Sequence, residues 1–387
     1  MGDWKSSFGG RISAPLETLK SHAYRKYIEF GLLTLLAIAL LWWFGRKVDW
    51  VEVREAVSHS DPYLLATAVL IISLAYVFRA FRWRALLQPL VPTRLSDLFI
   101  ATTVGFGAVF LVGRAGEVVR PVVLPMRDAR VRPSASFVTI MVERIYDIVA
   151  IVLMFAINLI WFRPPSSVVT DMGRVRLVGV FLLVGAIVGI VALVWFRAKS
   201  ESVISYVHRV FLRLRFIPER LSRLVLRLLE QLARALRVLV NFSELAQTIG
   251  WTALLWIDIV LANYLVIRAF GLNFGLSETI FVLGWALAGS MVPTPGGAAG
   301  AFHAATAAGF LFLGLDRDTA AAVSIVMHLV DFGPALLFGL FFVLKGELNL
   351  SKLRTLVSPE SVEHAVEDEK VVPDDALQRA QPNSVGD

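Results

Sequence analysis

The amino-acid sequence predicts an all-α polytopic membrane protein with about six transmembrane helices and two re-entrant helical hairpins, arranged as an inverted repeat. Three observations predict this fold class. The chain has 387 residues, of which 57% are hydrophobic. Several predominantly apolar runs reach about 17 residues or more, which is enough to cross a hydrocarbon core of roughly 30 Å. The segments that connect these runs are alternately rich and poor in lysine and arginine.

Six of the apolar runs each predict one transmembrane helix. Their predicted bounds are 28–44, 63–78, 134–162, 177–196, 245–267 and 319–344. The first run has no small-residue cleavage site after it, and further spans follow. It is therefore expected to be a membrane anchor rather than a signal peptide.

Two further apolar segments contain breaks and predict hairpins. Segment 96–126 is broken at Gly113 and Gly116 and has arginines before and after it. Because basic residues favour the cytoplasmic side, this hairpin is expected to enter and leave from the cytoplasm. Segment 277–314 is broken at Pro293–Gly297 and has few basic residues at its ends, so it is expected to enter from outside. The same rule places both termini in the cytoplasm.

Each half of the predicted membrane domain, 28–345, contains three spans with a hairpin before the third. The halves are 28–162 and 177–345. An odd number of spans gives them opposite orientations in the membrane. This inverted-repeat layout is common in secondary transporters, whose substrates bind near the midplane between broken helices.

Three segments lie outside the predicted spans. Residues 1–27 form a cytoplasmic N-terminal segment, and residues 346–387 form an acidic tail that is expected to be disordered. Residues 201–241 carry arginines on one helical stripe opposite apolar residues. They predict basic amphipathic cytoplasmic helices that join the halves, either lying on an anionic leaflet or forming an ordinary helical hairpin.

Composition excludes several kinds of site. The chain has no cysteine, so disulfides, thiolate metal sites and cysteine nucleophiles are excluded. Its six histidines are scattered, and we predict no metal or cofactor. The net charge of +7 is explained by the basic bias of cytoplasmic loops, so nucleic acid is not an expected partner.

Six charged residues fall inside segments that otherwise face lipid. They are Arg114, Glu117, Arg120, Glu143, Arg144 and Asp147. One unpaired charge at the bilayer centre costs about 2.5–3.5 kcal/mol, so these side chains are expected to meet. Two interpretations stay open. The set is either a neutral structural lock or a site where arginines exchange a carboxylate for a lipid phosphate, since the guanidinium fork suits both anions.

The break in the second hairpin predicts an anion site. Its candidate residues are Thr294, Pro295, Gly296 and Gly297. A helix that restarts after the break would direct unpaired N–H groups and its positive dipole end toward a ligand. The alternative is a packing break, in which small residues let helices cross closely.

His328 and Asp331 are three residues apart in the last span. A histidine and an aspartate on one helical face at this depth predict a site for proton coupling. The alternative for His328 is a hydrogen-bonded packing residue.

Four motifs occur in a fixed order along the chain. They are RAFRWRALL at Arg79–Leu87, GRAGEVVRP, MVERIYD, and PTPGG followed by an apolar helix. In this combination the chain resembles the flippase-like transmembrane family (UPF0104 type), which includes the membrane part of lysylphosphatidylglycerol synthase. The resemblance covers about residues 28–345. It implies binding and translocation of anionic, aminoacyl or isoprenoid-linked lipids, with the six charged residues and Pro295–Gly297 as the characteristic positions.

The chain lacks the soluble aminoacyl-transferase domain that follows the membrane part of the synthase. We therefore expect a lipid translocase of the cytoplasmic (inner) membrane rather than an enzyme, with membrane lipids as ligands. One alternative is a non-transporting accessory subunit that partners a lipid-pathway enzyme. Another is a polyprenyl-phosphate-dependent transferase, for which Asp316 and Asp318 are the candidate metal-binding carboxylates.

Overall fold

The computed structural model describes residues 49–163, 172–213, 242–292, 294 and 296–346, together with isolated positions elsewhere. Within these ranges the ordered elements are helices. They are α1 (Trp50–Ser58), α2 (Pro62–Leu87), α3 (Leu95–Val112), a 3-10 turn (Gly113–Val118), α4 (Val119–Arg127), α5 (Pro133–Trp161), α6 (Met172–Arg213), α7 (Phe242–Ala269), α8 (Leu276–Ser290), α9 (Ala299–Phe312) and α10 (Arg317–Leu344). The predicted all-helical membrane fold is confirmed.

Four helices of the described part are long and apolar enough to cross a membrane, namely α2, α6, α7 and α10. They correspond to four of the six predicted spans. Helix α5 corresponds to the predicted span 134–162 and has 29 residues, or about 43 Å at 1.5 Å per residue. The predicted span 28–44 falls almost entirely outside the described residues.

Helix α2 extends further than predicted. The predicted span 63–78 ended before the basic residues that begin at Arg79, but the helix continues to Leu87. Arg79 and Arg82 therefore belong to the helix. Their side chains are directed into the protein rather than into cytoplasmic water. The helix can continue because Arg82 pairs with a carboxylate inside the protein, so this arginine does not mark the membrane surface.

Hairpin 1 consists of α3, the 3-10 turn and α4, and it begins and ends at the same end of the bundle. Arg127 at the end of α4 binds Asp97 at the start of α3, with Nε 2.7 Å from Oδ1. The chain breaks at Gly113, whose φ is +70°. Gly116 lies against the backbone of Ala108, which leaves no room for a side chain. Both predicted break positions are confirmed.

Hairpin 2 consists of α8, the tip at 291–298 and α9, and its ends lie at the opposite end of the bundle. The start of α2 meets the end of α7 there, since the Asp61 N–H donates to the Ala269 carbonyl at 2.8 Å. The start of α10 lies at the same end, because the Asp49 N–H donates to Asp318 at 2.8 Å. Two half-length hairpins thus enter the bundle from opposite ends, as predicted.

Packing relates the two halves in the manner of an inverted repeat. Hairpin 1 packs through α3 on α10, the last helix of the other half, and hairpin 2 packs correspondingly through α8 on α5. Helices α2 and α7, which occupy equivalent places in the two halves, pack on each other. Gly107 and Gly339 bring the backbones of α3 and α10 close together.

Helix α6 joins two segments that the sequence analysis separated. The predicted span 177–196 and the start of the predicted amphipathic segment 201–241 form one helix with a kink at Lys199, where φ is −128° and ψ is 29°. The rest of that segment, from 214 to 241, lies almost wholly outside the described residues. Residues 1–27 and most of the predicted acidic tail 346–387 lie outside them as well, so these domain assignments stay predictions.

Candidate functional site

Buried arginines and carboxylates meet between α2, α4 and α5. Glu143 and Asp147 lie one turn apart on α5, with 0% and 5% of their surfaces exposed. Arg82 of α2 binds Asp147 in a bidentate manner, with nitrogen–oxygen distances of 2.6 and 3.2 Å. Arg120 of α4 binds Glu143, with Nη1 2.8 Å from Oε2. Together with Arg144, these residues form the arginine–carboxylate cluster.

Local packing explains the position of Arg120. Its side chain crosses α3 at Gly105, in the space that a Cβ on this glycine would occupy. Its guanidinium lies 4.3 Å from the centre of the Trp83 ring, a cation–π contact. The Trp83 indole is held in turn by Thr139, to which it donates a hydrogen bond of 2.9 Å. Arg120 is therefore confined on three sides.

The cluster has hydrogen-bonding capacity that its own pairs leave unused. Among the described residues, Nε and Nη2 of Arg120, Nε of Arg82 and Oε1 of Glu143 are buried without a hydrogen-bond partner. Leaving a buried polar group unpaired costs about 1–3 kcal/mol. The spare guanidinium donors are suited to a further oxyanion.

Arg144 connects the cluster to the lipid-facing surface. Its side chain is 29% exposed, and its Nη1 lies 3.8 Å from Asp147 Oδ2. On α5 it shares a face with Phe137, Met141 and Ile148, which are 42%, 37% and 59% exposed. A partly exposed arginine thus lies within an apolar stripe and touches a buried charged cluster.

Phe106 of α3 lies among three arginines. Its ring centre is 4.5 Å from the guanidinium carbon of Arg79, 5.5 Å from that of Arg120 and 6.0 Å from that of Arg144. Cations at such distances from an aromatic face are attracted to it. Arg79 makes no ion pair within 4 Å with any residue that the structure describes, so its cation–π contact with this ring takes the place of a close carboxylate.

The tip of hairpin 2 contacts a different set of residues. The carbonyl of Gly297 lies 3.3 Å from Nε2 of His328, and a Cβ on Gly297 would contact Phe110 of hairpin 1. The His303 and His328 rings are perpendicular, with centres 4.9 Å apart. The predicted anion site at the tip is therefore bordered by imidazole and aromatic rings rather than by the arginines.

Thr294 is buried in this tip, and its hydroxyl has no hydrogen-bond partner among the described residues. Gly296, Gly297 and Ala298 follow with φ of 75°, 62° and 62°, and α9 begins immediately after them. The helix thus restarts after the break as predicted. Pro295 lies outside the described residues.

His328 and Asp331, the residues predicted for proton coupling, have different partners in the structure. His328 is directed at Gly297, whereas Asp331 accepts a hydrogen bond of 2.9 Å from Asn263 Nδ2. The backbone carbonyl of Asp331 accepts a second bond, of 2.6 Å, from the Tyr76 hydroxyl. Asn263 of α7 is fully buried, so its partnership with Asp331 depends on a contact between helices that local spacing does not reveal.

Four of the six predicted intramembrane charges come together, namely Arg120, Glu143, Arg144 and Asp147. Glu117 is partly buried in the 3-10 turn, and the side chain of Arg114 lies outside the described part. Arg79 and Arg82 were not among the predicted site residues, because their basic charge predicts a cytoplasmic connection. Their spacing of three residues, with Trp83 and Leu86 continuing the helical pattern, was the available signal.

Asp316 and Asp318, the candidates for a transferase site, have structural contacts. Asp316 caps α10 by accepting a hydrogen bond of 2.8 Å from the Thr319 N–H. Asp318 accepts one of 2.8 Å from the Asp49 N–H and so ties the chain before α1 to α10. These contacts give both carboxylates a role in holding helix ends.

Comparison with known proteins supports the resemblance that the four motifs indicated. A family model described as the lysylphosphatidylglycerol synthase TM region matches residues 30–339. A UPF0104 membrane protein of Pyrococcus horikoshii is 22% identical over 342 residues, covering 83% of this chain and 97% of that protein. One of Methanothermobacter thermautotrophicus is 24% identical over 327 residues, covering 82% and 92%. The glycosyltransferase AglD of Haloferax volcanii is 32% identical over 125 residues, covering 31% of this chain and 19% of that protein.

Proposed function

We propose that this chain, which belongs to the lysylphosphatidylglycerol synthase transmembrane-region family, binds a lipid with an anionic head group in the cytoplasmic membrane and moves it between leaflets. The observation that carries this proposal is the position of Arg144. This member of the arginine–carboxylate cluster is partly exposed within the apolar stripe of α5 and lies 3.8 Å from the buried Asp147. An amphiphile whose acyl chains lie along the stripe would present its phosphate to Arg144.

The cluster can then accept the head group by exchange of partners. Arg144 is 3.8 Å from Asp147, a distance that leaves it weakly paired. Arg120 has two buried nitrogens without a partner in the described part, so it can bind a phosphate while still contacting Glu143. Arginine suits this role because its planar fork binds carboxylates and phosphates with the same geometry.

The location of the cluster supports movement as well as binding. Glu143 and Asp147 lie about 15 and 21 Å from the start of α5 at Pro133, well inside the bilayer. Hairpin 1 reaches this depth from one end of the bundle, while hairpin 2 enters from the other. Broken helices around a site at the midplane are typical of transporters that expose it to each side in turn.

Native mass spectrometry of the protein released from membranes tests lipid binding. Wild type is compared with Arg144→Ala and with Arg84→Ala, which removes an exposed arginine of α2 outside the cluster. We expect one anionic head-group class to be retained by wild type and Arg84→Ala and lost in Arg144→Ala. Retention of the same mixed lipids by all three would instead support the structural lock.

Movement is tested separately in proteoliposomes that contain fluorescently labelled phosphatidylglycerol. Dithionite quenches the label only in the outer leaflet, so translocation appears as loss of the protected fraction. We expect this loss with wild type and Arg84→Ala but not with Arg144→Ala. Selective lipid retention without any translocation would contradict the transport part of the proposal.

The accessory-subunit alternative is favoured by one comparison. In the relative named a glycosyltransferase, the matched region makes up 19% of the protein, so a sequence similar to about a third of this chain occurs within a longer protein that is named as an enzyme. Under this alternative, the chain would present lipid to a separate lipid-pathway enzyme. It would then bind lipid in the mass spectrometry experiment and show no movement in proteoliposomes.

A further inference from the structure

Two carboxylates outside the arginine–carboxylate cluster lie at membrane depth. Asp258 of α7 is 7% exposed, and its Oδ2 has no hydrogen-bond partner among the described residues. Asp331 of α10 is partly buried and bound to Asn263. Measured from the end of the bundle that α7 and α10 share, they lie about 17 and 21 Å deep. These two residues are called the carboxylate pair below.

Arg79 lies between the cluster and the carboxylate pair. On α2 it lies midway between Tyr76 and Arg82, and Arg82 binds Asp147 and lies 3.4 Å from Thr252 of α7. On α7, Asp258 lies about midway between Thr252 and Asn263, the partner of Asp331. Tyr76, one turn before it on α2, donates to the backbone of Asp331, which holds this part of α2 against α10. Phe106 contacts both Tyr76 and Arg79, with ring centres 5.8 Å apart in the first contact.

We infer that Arg79 is shared between the two sets, so that binding of a lipid phosphate at the cluster is coupled to uptake of a proton by the carboxylate pair. This inference rests on the proposed function. A phosphate beside Phe106 attracts the guanidinium of Arg79 and so reduces its interaction with the carboxylates. A buried carboxylate without a nearby cation is strongly disfavoured and becomes neutral by binding a proton from solution.

Asn263 provides a place for that proton. Its Nδ2 donates to Asp331 Oδ1 and to the Ile259 carbonyl, while its own Oδ1 is buried without a partner in the described part. A protonated carboxyl group gains an O–H donor, and an amide oxygen is an acceptor. Protonation of Asp331 would therefore allow a second hydrogen bond between these two side chains.

The other titratable groups around the carboxylate pair are few in the described part. Tyr76, which bonds the backbone of Asp331, and Arg79, one turn after it, approach the pair from α2, and Arg82 and Asp147 belong to the adjacent cluster. His328 precedes Asp331 by one turn on α10, but its ring is directed at Gly297 and His303. His328 is therefore the competing proton carrier and needs its own variant.

Isothermal titration of the full chain in detergent with dioctanoyl phosphatidylglycerol tests the coupling. Titration at pH 7 in two buffers of different ionisation enthalpy gives the number of protons bound with each lipid. We expect uptake of up to about one proton per lipid in wild type. Uptake should fall close to zero in Asp258→Asn/Asp331→Asn and remain unchanged in Asp128→Asn, which alters an exposed ion pair at the loop after α4.

The outcomes separate this inference from the proposed function. Lipid binding by wild type without proton uptake overturns the coupling and leaves the function standing, whereas no binding of the lipid overturns the function itself. Uptake that persists in the double variant but is lost in His328→Gln assigns the proton to the histidine and overturns the inference. If the double variant does not fold, the two single variants and Arg79→Gln must each reduce uptake, and unchanged uptake in all of them contradicts the coupling.

Inorganic phosphate titrated alone identifies the source of the bound anion. If a lipid head group is the ligand, phosphate should bind at least 10-fold more weakly than the lipid, because it lacks acyl chains for the stripe on α5. Equal affinity would mean that a free anion is the ligand, and the coupling to lipid would be overturned.

Discussion

Arg120 contacts a carboxylate on one side, an indole ring on another and a glycine beneath its side chain. Arg82 has a bidentate partner in Asp147, whereas Arg79 lies against an aromatic ring and has no ion pair within 4 Å among the described residues. These differences rank the arginines by how firmly they are held. The loosely held ones, Arg79 and Arg144, are the residues to which we assign movement or ligand capture.

Removing one partner of the Arg120–Glu143 pair should lower the free energy of unfolding more than removing both partners. Glu143→Gln leaves a buried guanidinium underpaired, for which we expect destabilisation by about 3–5 kcal/mol. Adding Arg120→Gln should restore part of this loss. The free energy of unfolding in SDS titrations measures the coupling between the two sites.

Arg144 supplies the control for this prediction. Its ion pair in the structure is with Asp147, so Glu143→Gln and Arg144→Gln should have nearly additive effects. If the losses of unfolding free energy caused by Arg120→Gln and Glu143→Gln are also additive, the 2.8 Å contact between Arg120 and Glu143 contributes little to stability.

Gly105 should be required for the position of Arg120. A Cβ at this residue would overlap the Arg120 side chain, so Gly105→Ala should displace the guanidinium from Trp83 and Glu143. We expect a reduction in anionic lipid binding comparable to that of Arg120→Gln. Native mass spectrometry measures this reduction. The matched control is Gly250→Ala on exposed helix surface of α7, where a Cβ meets nothing within 4 Å; equal effects of the two alanines would refute the steric argument.

At the scale of elements, the short helix α1 is attached to α10 by an apolar contact and by a contact between two acidic residues. Val53 of α1 packs against Ala321 and Ala322 of α10. A hydrogen bond with Asp318 raises the pKa of Glu52 above its ordinary value of 4.5. Two carboxyl groups can share such a bond only when one of them holds a proton.

The attachment of α1 should therefore weaken as the pH rises. Because the pKa of Glu52 is raised in the folded protein, its contribution to stability is fully present below about pH 4.5 and is lost as the pH rises through the folded-state pKa. Amide hydrogen exchange of residues 50–58, corrected for intrinsic rates, should show greater protection at pH 4 than at pH 7.

Glu52→Gln should remove this pH dependence, because an amide donates a hydrogen bond to Asp318 at either pH. The control is Glu55→Gln, also on α1, which should behave as wild type. If Glu52→Gln keeps the pH dependence of wild type, another group is responsible for it.

At the scale of the whole molecule, the orientation of the chain in the membrane can be tested by labelling its loops, because the structure shows which loops lie at the same end of the bundle. The loop before α2 and the loop after α7 lie at one end, and the loop between α4 and α5 lies at the other. Since the chain has no cysteine, single cysteines can be introduced without a background.

We expect His59→Cys and Asn273→Cys to react with a membrane-impermeant maleimide on intact cells. Ala129→Cys should react only after the membrane is opened, because the basic residues around it favour the cytoplasm. The reverse pattern would invert the proposed orientation. Labelling of all three from one side would contradict the single crossing by α2.

Sequence patterns located most of the helices, because the properties on which they depend are local. Hydropathy predicted the positions of α7 and α10 to within a few residues, and glycines marked the break in hairpin 1. The same logic failed at the end of α2. An arginine at the end of an apolar run predicts the membrane surface, and nothing within the helix shows that Arg82 has a carboxylate partner 65 residues away.

The sequence by itself determined that this chain crosses a membrane, that two segments cannot cross as single helices, and that charged residues must meet inside. Only the tertiary structure decided which residues meet. Asp331 binds Asn263 on another helix instead of His328 one turn away, and Arg82 joins a cluster assembled from three elements. The physical reason is that buried charges are stabilised by whichever partner the packing of distant helices brings within reach, and spacing along one helix does not specify that partner.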